Sequence, residues 1–255
     1  MLDVSAPLPL AGRTVLGIFA HPDDETFCVG GIIAKYAAAG VPVDLFCATN
    51  GDAGKSAGVP VSSREELAVL RRRELREAAN VLGIGAVEMP GYRDGELAQT
   101  DSAQLTGDIV AFIRRTRPTV VLTFGPEGAP TGHADHRALS RAATAAFFLS
   151  QLATAYPDQQ LQPHRPSRLY YQAWTLPFPD PKFKLESVPA TAHIDVAAWK
   201  GRKDAAFRAH ATQRGSAAGF YSAAFFDVEY LALAAGVPQP TAIVDDIFAG
   251  LDVRS

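Results

Sequence analysis

The sequence predicts an α/β fold: a Rossmann-like, mostly parallel sheet with helices on both faces. Three observations carry this. Short apolar runs rich in β-branched and aromatic residues recur through the first half. A longer helix-forming segment follows each of them, and glycines punctuate the junctions. Runs that are apolar throughout, rather than alternating, suit strands covered on both faces. In such sheets ligands bind beyond the carboxyl ends of the strands. That rule directs attention to residues 21–31, 50–62, 90–100 and 125–137.

Taken in order, Thr14 to Ala20 (TVLGIFA) is a buried strand. Residues 32–39 are helical, and Gly40 ends that helix as a C′ residue. Residues 41–49 form a second strand. Ser63 precedes a Glu/Arg/Leu-rich helix reaching Leu82. Glu66, three residues on, makes a capping box, and Gly83 stops the helix. A brief strand follows at 86–89, then a helix at 101–116. TVVLTF at 119–124 is another strand, with a helix at 138–152. Residues 157–181 are rich in proline and read as loop or extended chain, with a strand at 169–174. A helix at 197–212 and a last strand at 241–248 complete the reading. Without repeats or a linker, one domain over 1–255 is expected, with an elaborated C-terminal third.

Composition narrows the function classes. At 255 residues and 47% hydrophobic, the chain can bury a sizeable core. Its net charge of −3 speaks against a nucleic-acid partner. Arg71, Arg72, Arg73 and Arg76 alternate with acids and read as a solvated helix face. Cys28 and Cys47 sit in apolar stretches without CxxC spacing, as buried thiols in a reducing compartment would. Residues 1–13 lack a signal-peptide pattern, and no run of about 18 apolar residues exists. A soluble, cytoplasmic protein that engages no membrane is expected. Oligomeric state is not legible.

Chemistry gathers in two places. The first strand ends in Ala20-His21-Pro22-Asp23-Asp24-Glu25. Three crowded carboxylates repel one another, and burying them is costly unless a cation compensates. An exposed acidic helix start is the plainer alternative for this cluster alone. The TVVLTF strand leads into Gly132-His133-Ala134-Asp135-His136. Two His/Asp clusters at the same predicted sheet edge favour a shared divalent metal. Nitrogen and carboxylate ligands suit zinc, although similar donors accept other divalent ions.

AHPDDE after the first strand, with GHADH after a later one, resembles the LmbE-like, or PIG-L-type, zinc-dependent de-N-acetylase family. Further matches are Thr49-Asn50-Gly51-Asp52, Arg71-Arg72-Arg73-Glu74-Leu75, Gly91-Tyr92-Arg93-Asp94-Gly95, Lys203 and His210-Ala211-Thr212-Gln213. The likeness runs in order through about residues 13–213. It implies one zinc ion held by His21, Asp24 and His136, with Asp23 as general base. It makes protonated His133 the oxyanion-stabilising group and Asp135 the partner of His133. Asn50, Arg71, Asp94 and His210 fall at positions that would bind the substrate. The implied activity is removal of acetyl from a soluble N-acetylglucosaminyl conjugate: a bacillithiol or mycothiol precursor, or a chito-oligosaccharide. A metal-dependent hydrolase of another bond and a non-catalytic sugar-binding protein are the rival readings. Two departures stand out: Ala129-Pro130-Thr131 where some relatives carry an aromatic residue, and Thr212 where Ser is commoner.

Overall fold

The computed structural model describes residues 10–128, 131–174, 187–214, 227–236 and 241–251. The first half follows the expected alternation. Strands β1 (Val15–Phe19), β2 (Val43–Cys47), β3 (Val87–Glu88) and β4 (Val120–Phe124) alternate with helices α1 (Asp24–Ala38), α2 (Arg64–Leu82) and α3 (Ser102–Thr116). Helix α4 (Ala134–Leu149), β5 (Arg168–Ala173), β6 (Ala192–Asp195), α5 (Lys200–Ala209) and β7 (Val228–Gly236) follow. Among the described residues they build a seven-stranded sheet in the order β3-β2-β1-β4-β5-β7-β6. Pairing is parallel from β3 through β5, and β7 runs antiparallel to both β5 and β6.

Strand order places the site. The chain winds outward from β1 to β2 and β3, then returns across β1 to β4. The crevice between the carboxyl ends of β1 and β4 is therefore the switch point where such sheets bind ligands. Helices α1, α2 and α5 pack together, and α3 packs with α4. Right-handed crossovers put these two groups on opposite faces. Phe19, Phe46, Phe124, Leu16, Ile18 and Leu45 are fully buried between them. Among these core residues Thr123 on β4 places a buried hydroxyl, which donates to the Ile18 carbonyl at 2.9 Å.

 Cys28 and Cys47 are buried free thiols, as expected.

Helix α1 shows how distant residues shape a local element. The sequence expectation starts this helix at residue 32, yet it begins at Asp24 and breaks at Val29, whose φ of −142° is not helical. A break leaves backbone groups without their helical partners. The Gly31 and Ile32 N–H groups donate to the Glu229 carboxylate on β7, each at 2.8 Å. Lys203 on α5 donates to the same carboxylate at 2.8 Å and to the Phe27 carbonyl at 3.0 Å. Gly31 is required here, since a Cβ would lie 2.7 Å from Val196 Cβ. Gly31 thus serves close packing. Glu229→Ala removes the acceptor of two buried amides and a buried ammonium, and is expected to cost about 3–5 kcal/mol. Urea unfolding should show a lower midpoint at unchanged slope. A loss under about 1 kcal/mol would mean the break is held by other contacts.

Other expectations need correction. Helix α4 starts at Ala134 rather than 138, because His133 caps it by accepting from the Asp135 N–H at 3.2 Å. The capping box of α2 is offset: Ser63 Oγ accepts from Glu66 N–H at 3.2 Å, but Glu66 accepts from Ser62 N–H at 2.7 Å. The expected strand at 241–248 is a single bridge, Val244 to Ala192. Strands β6 and β7 were not anticipated. β7 reads VEYLALAAG, a helix-favouring composition that its place between β5 and β6 overrides. The helix expected over 197–212 ends at Ala209. Residues 1–9, Ala129 and Pro130, on which earlier expectations fall, lie outside the described residues.

Candidate metal centre and catalytic cleft

Two tight segments supply the centre. Residues 21–24 follow β1, and residues 133–136 open α4 just beyond β4. In both, a spacing of three brings two side chains to the same side. His21 Nδ1 lies 3.2 Å from Asp24 Oδ2 and 3.3 Å from His136 Nε2. His136 Nε2 lies 3.4 Å from Asp24 Oδ1. These ligand atoms all fall within 4.8 Å of one another, in a buried group. The His136 ring stacks on Phe124 at 3.9 Å between centroids, which fixes its plane.

The other nitrogen of His21 faces carboxylates. Its Nε2 lies 3.0 Å from Asp94 Oδ1 and 3.2 Å from Asp135 Oδ2. A metal-binding imidazole usually gives its second N–H to such an acceptor, which sets tautomer and orientation. His21, His133 and Asp135 form a second convergent group, but the Asp135 oxygens already accept from Gly95 N–H at 2.7 Å and Leu97 N–H at 3.1 Å. His21, Asp24 and His136 therefore form the better cation site. Charge agrees. Burial would lower the His21 pKa, yet hydrogen bonds and charges from Asp135, Asp24 and Asp94 raise it well above its ordinary value. A proton on His21 balances these carboxylates, and a divalent cation would do so better. Asp24 is held well below the carboxylate range, where burial is outweighed by His136 and His21. Asp94 is held near 2, again against burial, chiefly by its hydrogen bond to His21.

Asp23 stands beside these three candidate ligands without joining them. It sits at the N-cap of α1 with φ of 123°, a conformation costly for a side-chain-bearing residue. Its N–H donates to Glu25 Oε2 at 2.9 Å, and Arg71 Nη2 lies 3.3 Å from its Oδ2. Burial pushes its carboxyl up to about 6 against the opposing pull of Arg71, with Asp24 and Glu25 adding to the rise. Arg71 also donates to the Gly51 carbonyl at 2.8 Å and to the Pro22 carbonyl. Its guanidinium is thus mainly a brace for the turn that carries Asp23. The neighbouring arginines point elsewhere, Arg73 pairing with Glu77 in solvent.

His21, Asp23, Asp24, Arg71, Asp94, His133 and His136 line one cleft of about 320 Å³, with Ala53, Gly54, Gly95, Thr131 and Gln213. Three expected residues lie elsewhere. Asp135 is fully buried and turns its carboxylate to His21 rather than to His133, because the Gly95 and Leu97 amides hold it there. His210 is fully buried behind the cleft and cannot touch a substrate; its Nε2 lies 2.9 Å from Glu25 Oε1. Asn50 is not on the lining: its amide packs against Gly91. The surroundings of His133 disfavour the proton that the resemblance implies. Its Nδ1 accepts from the Asp135 N–H, and burial with the nearby His21 and His136 lowers its pKa. With Nδ1 accepting, Nε2 is the nitrogen left to donate. His133→Ala is expected to lower kcat on the order of 10²–10³-fold, as for a lost oxyanion donor. An effect confined to KM would remove it from that role.

Sequence reasoning also missed supports. Glu25 carries no assigned role, though it joins Asp23 to His210. Glu74 accepts from Thr212 N–H at 2.9 Å and Thr212 Oγ1 at 2.7 Å. Serine could make the same contacts, so that departure is structurally silent. Both glutamates stand inside quoted motifs, which was the available signal.

Residues 16–147 match the family described as PIG-L: GlcNAc-PI de-N-acetylase. The chain belongs to the PIG-L family. A 1D-myo-inositol 2-acetamido-2-deoxy-alpha-D-glucopyranoside deacetylase of Rhodococcus jostii (strain RHA1) is 34% identical over 247 residues, 80% of this chain and 82% of that one. A probable N-acetyl-alpha-D-glucosaminyl L-malate deacetylase 2 of Bacillus anthracis is 38% identical over 136 residues, 53% of this chain and 59% of that one. The N,N'-diacetylchitobiose deacetylase of Pyrococcus horikoshii shares the fold with a TM-score of 0.73 at 24% identity, over 91% of this chain and 87% of that one. For this PIG-L chain, among the described residues no helix is long and apolar enough to cross a membrane.

Proposed function

We propose that this PIG-L family protein is a zinc-dependent hydrolase that removes the acetyl group from a small N-acetylglucosaminyl conjugate. One observation carries the reading: Asp23 faces the same cleft as the His21, Asp24 and His136 group without being part of it. A binding protein needs no such carboxylate. The family and its deacetylase relatives support the bond and the sugar. The buried thiols Cys28 and Cys47 support a reducing, cytoplasmic setting, and a single domain over the whole chain is consistent with one sheet.

Zinc, when bound by His21, Asp24 and His136, would polarise the acetamide carbonyl and make a nearby water more acidic. Asp23 takes a proton from the attacking water and later gives one to the departing amine. His133 donates Nε2–H to the oxygen of the tetrahedral intermediate. Asp94 and Asp135 orient His21, and Arg71 with Glu25 holds Asp23 in place. Acetate and a free amine are the products. The test is metal analysis followed by acetate, amine and phosphate assays over N-acetylglucosaminides and phosphoesters. Stoichiometric zinc with acetate and amine release is expected. Phosphate release instead, or zinc without turnover of any acetamide, would overturn the reading.

A further inference from the structure

His210 is a buried titratable side chain that the mechanism leaves unused. It is paired with Glu25, and both are fully buried, so neither meets a substrate. Such a pair is a weak source of stability, because taking its charges out of water offsets their attraction. Here it also leaves a group unmet: His210 Nδ1 is buried without a hydrogen-bond partner. An apolar side chain would fill that place without this cost. What the pair does hold is one backbone contact. Glu25 Oε1 accepts from His210 Nε2 at 2.9 Å and from Thr26 Oγ1. These two bonds set the plane of the carboxylate, whose Oε2 accepts from the Asp23 N–H at 2.9 Å.

That contact matters because of the backbone it restrains. Asp23 has φ of 123° and ψ of −27°. Such a conformation costs about 1–3 kcal/mol and persists only where neighbours impose it. Arg71 Nη2 holds the side chain, 3.3 Å from Oδ2. Glu25 holds the N–H, and with it the peptide plane between Pro22 and Asp23. Turning that plane would swing Cβ and move the carboxylate in the cleft. Both braces start from helix α2. Arg71 lies on it directly. Glu74, one turn later, accepts from Thr212 N–H at 2.9 Å and Thr212 Oγ1 at 2.7 Å, which fixes the segment carrying His210. The Ala57 N–H donates to the Thr212 carbonyl at 2.9 Å and ties that segment to the loop after β2.

We infer that His210 is a positioning residue for deacetylation: through Glu25 it holds the Asp23 backbone in the strained turn that aims the general base into the cleft. The inference rests on the deacetylase reading above, with Asp23 as proton acceptor. It replaces the substrate contact that the resemblance implies for His210.

The test is a double-mutant cycle on the zinc-loaded protein, read by acetate release, beside amide hydrogen exchange at Asp23 read by NMR. His210→Phe keeps a ring in the space and removes the donor. It is expected to lower kcat by roughly 10–100-fold, the cost of a misplaced catalytic group, with KM and zinc content within ~2-fold of wild type. His210→Gln keeps an N–H donor for Glu25 and is expected to recover kcat to within ~3-fold of wild type. In an Asp23→Asn background His210→Phe should cost under ~2-fold more, because the proton acceptor it positions is gone. The Asp23 amide should exchange at least ~10-fold faster in His210→Phe, while amides of β1 keep their protection. Glu25→Gln, which changes one atom, is expected to speed the same exchange and serves where His210→Phe does not fold. Equal losses in both backgrounds, glutamine no better than phenylalanine, or an Asp23 amide unmoved by these changes would overturn the positioning role. A wild type that releases no acetate, with the amide still responding, would instead sink the deacetylase reading and leave the His210–Glu25–Asp23 link standing.

Discussion

Asp23→Asn is expected to keep a full complement of metal and to lose on the order of 10²–10⁴ in kcat, the usual worth of a general base. The atoms that could hold a metal belong to His21, Asp24 and His136, so the substitution leaves them in place. Asparagine keeps the size and the N-cap position of Asp23, and tolerates positive φ at least as well. What it removes is a proton acceptor. Burial lifts the Asp23 carboxyl to about 6, closer to working pH than an ordinary aspartate, which suits a group that must both take and return a proton. A cation on adjacent Asp24 would pull that value down again. Near-normal turnover in Asp23→Asn would assign the proton transfer to another group.

His136→Ala is expected to remove tight metal binding and, with it, detectable deacetylation. Losing an outer hydrogen-bond partner of a metal ligand costs roughly 10–100-fold in affinity, and losing one of three ligands should cost more. Two buried neighbours would remain, His21 and Asp24, with the Asp94 and Asp135 carboxylates behind them. Their mutual charge would then fall to protonation of His21 rather than to a cation. Metal content after dialysis, measured beside the wild type, checks this directly. Full occupancy in His136→Ala would move the ligand to another residue, with His133 the first to examine.

Much of the centre was legible because its two halves are each local. Three-residue spacing within His21–Asp24 and within His133–His136 aims side chains together without help from the rest of the chain. The apolar runs likewise marked β1, β2 and β4. Residues whose roles depend on distant neighbours were misread. His210 looks like a substrate contact until Glu25 is seen to claim it. Asp135 looks like the partner of His133 until the Gly95 and Leu97 amides turn it toward His21. Helix α1 reads as starting late because its break at Val29 is held by Glu229 and Lys203, far along the chain.

By itself the sequence determined the alternating architecture, the two His/Asp turns proposed to hold a metal and the family to which they belong. Tertiary structure alone decided that the turns meet, since only the return of the chain across β1 sets β4 beside it. It also decided which partner each carboxylate faces. Periodicity and spacing are properties of one segment, whereas a charge's role depends on what burial places within a few ångströms of it, and that is set by strand order.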